Sequence, residues 1–321
     1  KCGGRFVTRI QQVLFELDAP YAGHAYFVTG NALFNALAPR VDDATRRRLR
    51  VSHSVFLPGE YGEYPAAHSQ DGYAGKLGQS LPPVETYEDL FLYRDPAHRW
   101  LLDSRPRDAH NTLDVQSHGG RVAFADTSWF GRPVEQRNNR RSVSWYVHCY
   151  VHVDGVGDTI PLPEETLDGI QVGGARNYGF GELSVVDTQV IELEELDYSR
   201  LEAAQREDAP CRIELVTPFV LSTEYPGADD QDVPWWWGET GSELRRRETR
   251  LVHDGDVYVV DTIDHGQVVP YTGNNPVQTA FNGVLRVGTH SRFGFGELRV
   301  RPPGDERVPG RAASDTGGGE A

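Results

Sequence analysis

The sequence predicts an α+β protein of two related units, each closing with a glycine-rich loop that runs into a β-strand. Three observations predict it. Residues 172–183 read VGGARNYGFGEL and residues 287–298 read VGTHSRFGFGEL, seven identities in twelve positions that lie 115 residues apart. An aromatic also precedes the second matched glycine in both copies, Tyr178 and Phe293. The stretches that follow each loop are rich in β-branched and aliphatic residues, Leu183, Val185, Val186, Val190 and Ile191 in one and Leu298 and Val300 in the other. Finally, 321 residues suffice for two units with their own cores, and 34 Gly and 20 Pro suit a loop-rich α+β chain.

Taken in order, residues 6–17 read as a strand ended by Asp18-Ala19-Pro20. A short helix follows over residues 31–38, with Thr29 as its N-cap and Pro39 near its end. Residues 58–111, rich in Gly, Pro, Tyr and His, have little periodicity and read as an insertion of long loops. Residues 142–153 form a strong strand. The first unit is thus expected to span 1–197, followed by a polar linker helix within 198–210 and a second unit over 211–301. In that unit residues 211–221 form a strand interrupted by Pro218, an edge or a bulge. Residues 241–250 read as its helix, and residues 281–287 as a strand leading into the second loop. The tail, 302–321, is rich in Gly, Pro and Asp and is expected to be disordered.

The net charge is −15, from 47 acidic and 32 basic residues, and the only lysines are Lys1 and Lys76. Arginines cluster at residues 46–50, 132–141 and 245–250, so a phosphate-binding groove remains open despite the overall charge. No apolar run approaches the roughly 20 residues needed to cross a bilayer. Residues 1–10 carry no signal-peptide core, which predicts a cytoplasmic protein with no membrane partner. Cys2, Cys149 and Cys211 lack any metal-ligand or disulfide spacing. His148 and His152 share one face of a strand, but no third ligand is evident, so no metal and no cofactor is expected. Walker, GxSxG, HExxH and dinucleotide fingerprints are missing.

The pattern Gly-x-x-x-x-(aromatic)-Gly-Phe-Gly-(polar)-Leu, present at 173–183 and 288–298, resembles the glycine-rich loop of the RAMP proteins of CRISPR-Cas systems. Residues 26–38, with GNALFNAL at 30–37, look like the first-helix region of such proteins. The acidic, arginine-dominated composition is similar to that of halophilic archaeal members. The resemblance implies tandem ferredoxin-like (RRM-like) βαββαβ domains in which the loop lies against bound CRISPR RNA. It also implies other subunits of an antiviral effector complex as partners.

On that reading Gly173, Gly174, Gly179 and Gly181, with Gly288, Gly294 and Gly296, turn backbone N–H groups toward phosphate oxygens. Arg176 and Arg292 add a charged fork or stack on a base, and Arg137, Arg140 and Arg141 extend the RNA-binding surface. Phe180 and Phe295 are expected to pack behind the loops rather than on bases. The preferred role is a subunit that holds guide RNA without cutting it. One alternative is a metal-independent endoribonuclease, with His24 or His290 as general base and Tyr26 nearby. Another is a protein-interaction module without RNA, to which Trp235, Trp236 and Trp237 would contribute.

Overall fold

The structure, a computed structural model, describes residues 7–23, 27–58, 80–94, 110–118, 121–130, 145–155, 159–241 and 243–304. Its organising strand is β1 (Arg9–Leu17), which is covered on both faces. Val13, Phe15 and Leu17 point into one core, while Ile10 and Leu14 point into the packing on the other side. Two glutamines survive this burial because each is hydrogen-bonded. Gln11 exchanges bonds with the backbone of Leu162, and Gln12 meets His148 and Gln189.

β1 pairs antiparallel with β7 (Trp145–Val153) on one side and β9 (Glu182–Glu192) on the other. β7 also carries the short strands β3 (Leu49–Val51) and β4 (Val55–Pro58), and β9 carries β8 (Ile170–Gln171). The sheet order is therefore β3-β7-β1-β9-β8. Helix α1 (Gly30–Leu37) lies on the inner face through Leu33, Phe34 and Leu37. It starts where the sequence predicts, with the Thr29 hydroxyl accepting from the Ala32 N–H. A second helix, α2 (Asp43–Arg48), is capped by Asp42. At Pro20 the chain leaves the sheet as β2 (Tyr21–Gly23), which pairs with the hairpin of β5 (His110–His118) and β6 (Arg121–Phe130).

After a four-residue turn of helix, α3 (Glu164–Leu167), and the longer α4 (Ser199–Arg206), the second half begins. Pro218 splits its first strand into β10 (Arg212–Leu215) and β11 (Phe219–Thr223). The hairpin β12 (Arg246–His253) and β13 (Asp256–Ile263) pairs with β11, while β14 (Val268–Pro270) pairs with β10. Helix α5 (Pro276–Val284) precedes the second loop, and β15 (Leu298–Arg301) closes on β10.

Three expectations are corrected. Residues 246–250 are strand, not helix, because Asp254 and Gly255, both at positive φ, form the two-residue turn of a hairpin. Residues 281–284 end a helix rather than begin a strand. Asn275 caps it, Pro276 opens it, and Ala280 and Val284 share its buried face. Within the expected loop insertion, residues 80–94 are core: Tyr87, Leu90, Phe91 and Arg94 are buried, and Thr86 bridges Asp197. They cover the second face of β1. Residues 59–79, 95–109 and 305–321 lie outside the described residues.

The halves share a core. Val220, Leu251, Val260, Phe293 and Phe295 pack in one cluster with Val13, Phe15, Phe34 and Val147.

Candidate nucleic-acid interface

Both glycine-rich loops adopt one backbone conformation. Ala175 and His290 are left-handed (φ +56° and +60°), a single 3-10 turn follows, and Gly179 and Gly294 are left-handed again. Gly181 donates its N–H to Pro20 and Gly296 donates to Pro218, each at 2.9 Å. Val172 and Val287 donate to Gly181 and Gly296, again at 2.9 Å. A Cβ at Gly181 or Gly296 would overlap the carbonyl of Val172 or Val287, so glycine is required at both. The repeat therefore reaches back to the first strand of each half. Leu17, Pro20 and Tyr21 match Leu215, Pro218 and Phe219, a Leu-x-x-Pro-aromatic signal that the sequence reading overlooked.

The surroundings of the two copies differ. The first rests on β2: Gly174 donates to the Ala22 carbonyl at 2.8 Å, and Gly173 sits against Tyr21. Its outer turn, Arg176, Asn177 and Tyr178, projects into solvent, with Tyr178 78% exposed. The second copy faces inward. The Phe293 ring packs edge-on to Phe34 at 5.0 Å, and Gly294 fits against His53. Its Ser291 hydroxyl accepts from Arg50 at 2.5 Å. Gly288 remains at the surface beside Gln231, and Arg292 is partly exposed. The Arg292 guanidinium lies 4.6 Å from the Phe34 ring centre and donates to the Arg46 carbonyl. Folding thus joins the arginine cluster of residues 46–50 to the second loop. Arg245 and Arg246 are instead tied to Asp264 and Asp261.

His290 is buried with Nε2 2.9 Å from the Thr223 hydroxyl, and burial lowers its pKa to about 4, so it is neutral at neutral pH. His148 is likewise held neutral by burial. Phe295 is buried and Phe180 half-buried. Of the tryptophans, Trp237 is buried and Trp235 projects outward. His24, Tyr26, Arg137, Arg140 and Arg141 lie outside the described residues. Among the described residues no three His, Cys, Asp or Glu side chains converge to hold a metal, and no helix is long and apolar enough to cross a membrane.

No protein-family model matches the chain, and no curated protein matches it. Among solved structures it is similar to a chain in the cryo-EM structure of the Type III-B Cmr-beta bound to cognate target RNA, at 8% sequence identity and a TM-score of 0.36. That likeness covers 91% of this chain and 99% of the other, and at such distance it carries no functional argument.

Proposed function

We propose that the chain is a CRISPR-RNA-binding subunit of RAMP type, part of an effector complex, which holds guide RNA at its first glycine-rich loop. The observation that carries this reading is the contrast between two loops of one backbone shape. Packing against the first half accounts for most of the second loop's sequence. The outer turn of the first loop touches no core, yet it presents an arginine, an amide and a tyrosine on a fixed turn. Those groups suit a phosphate and an unstacked base. The sheet order supports a βαββαβ unit in the first half: β9, β1, β7 and β3 lie side by side, with α1 following β1. In the second half β15, β10 and β14, with β11, β13 and β12, follow the same order along strands broken in two.

The test is fluorescence anisotropy of labelled repeat RNA in KCl with EDTA, on the native chain, Arg176→Ala and Tyr178→Ala. Loss of one stacked base costs ~1–3 kcal/mol, so Tyr178→Ala should bind roughly 5- to 150-fold more weakly at an unchanged melting temperature. Wild-type affinity in both variants would overturn the assignment of the RNA to this loop. Site-specific cutting of the RNA in EDTA would replace the scaffold role with the endoribonuclease one.

A further inference from the structure

Between the end of α1, α2, the β12–β13 turn and the second loop lies a groove of about 380 Å³. Its apolar side is formed by Phe34, Ala38 and Pro39, and its polar side by Arg46, Arg47 and Arg292. On a chain of net charge −15, these three cations converge from segments almost 250 residues apart. Their charge is poorly compensated. Among the described residues, Arg47 is exposed and makes no ion pair, and Arg46 pairs only with Asp43, at 2.9 Å on an exposed helix surface. Such a solvent-screened pair is worth little. Arg292 is pinned by Phe34 and by the Arg46 carbonyl, and its buried Nε finds no acceptor among the described residues. The one carboxylate on the lining among the described residues, Asp254, is turned to solvent beside His253.

Uncompensated guanidinium donors beside an apolar wall complement a phosphate attached to a flat ring. The volume lies in the range of small-ligand sites. We propose that this groove binds a nucleotide, its phosphate held by Arg46, Arg47 and Arg292 and its base lodged against Pro39 and the Arg292 guanidinium. The nucleotide could be free or the phosphorylated end of an RNA strand, since the contacts are the same.

Calorimetric titration of the full chain with AMP, adenosine and inorganic phosphate tests the proposal. AMP should bind, and more tightly than phosphate, while adenosine should not. Arg46→Ala and Arg47→Ala should each weaken AMP about tenfold, the effect of one charge-assisted hydrogen bond, with the melting temperature unchanged. Competition with a short RNA carrying either a 5′-phosphate or a 5′-hydroxyl separates the sources. Displacement by the phosphorylated form alone assigns the groove to an RNA end, and no displacement by either assigns it to a free nucleotide. Absence of AMP binding, AMP no tighter than phosphate, or indifference to both arginine changes would overturn the proposal. The Arg46 and Arg47 changes leave the first loop untouched, as Arg176→Ala and Tyr178→Ala leave the groove, so this test and the repeat-RNA assay fail separately.

Discussion

Glu182 and Glu297 occupy the same position of the repeated loop, and their substitution should have very unequal consequences for stability. Glu297 is 2% exposed and accepts from Arg94, itself 1% exposed, at 2.6 Å. Arg94 uses its other terminal nitrogen, Nη2, to donate to the Ser52 hydroxyl and the His53 carbonyl, both at 2.7 Å, and lies 4.7 Å from the centre of the Tyr150 ring. The pair therefore ties the second loop to the strand connection of the first half. Glu297→Ala leaves a guanidinium in the core without its counter-charge, which costs about 3–5 kcal/mol. That is a large part of a typical total stability of roughly 5–15 kcal/mol. Glu182 is exposed, and Glu182→Ala should stay within ~0.5 kcal/mol of the native chain. Urea unfolding followed by far-UV circular dichroism measures both, with the slope checked for constancy. A double variant, Arg94→Leu with Glu297→Leu, should recover part of the loss, since replacing both partners of a buried pair costs far less than removing one. Equal midpoints for Glu182→Ala and Glu297→Ala would refute the reasoning.

Two more predictions follow from the same environments. Gly179→Ala forces alanine to φ +81° in open space and should cost about 1–2 kcal/mol, whereas Gly294→Ala adds a Cβ inside His53 and should lower the melting temperature several times further; equal shifts would deny the packed role of the second loop. His152 is buried, its Nδ1 accepts from Arg286 at 2.9 Å, and burial lowers its pKa to about 4 from 6.5. Between those values the unfolded chain binds the extra proton, so the contribution of His152 should be complete above about pH 6.5 and shrink by ~3 kcal/mol as pH drops to 4, alongside that of His290. His152→Gln should flatten that slope in denaturant midpoints taken across the window, and an unchanged slope would exclude His152 as its source.

Much of the scaffold was legible from local signals. Thr29 capped its helix, Pro218 broke its strand, and the seven identities announced two loops of one shape. What decides the role of each loop was not local. Gly294 and Phe293 turn inward because His53, Gly30 and Phe34 shape a receptor for them more than 230 residues earlier. The difference between Tyr178 and Phe293 was the available hint, since a hydroxyl suits solvent and a bare ring suits a core. The β12–β13 hairpin was missed although its Asp-Gly turn stands in the sequence, because the neighbouring arginines resembled a solvated helix face. Residues 80–94 looked like loop because their partners, Ile10, Tyr150 and Ser52, belong to other strands and leave no periodic trace.

The common core also bears on the order in which the chain is made. Synthesis runs from the N-terminus, and ordinarily a leading domain folds before its successor emerges. Here the inner face of the first sheet awaits Val220, Leu251, Val260, Phe293 and Phe295, and Arg94 awaits Glu297. A growing polypeptide stopped anywhere before residue 293 exposes an unfilled apolar recess, so the first half matures only once the second has been made.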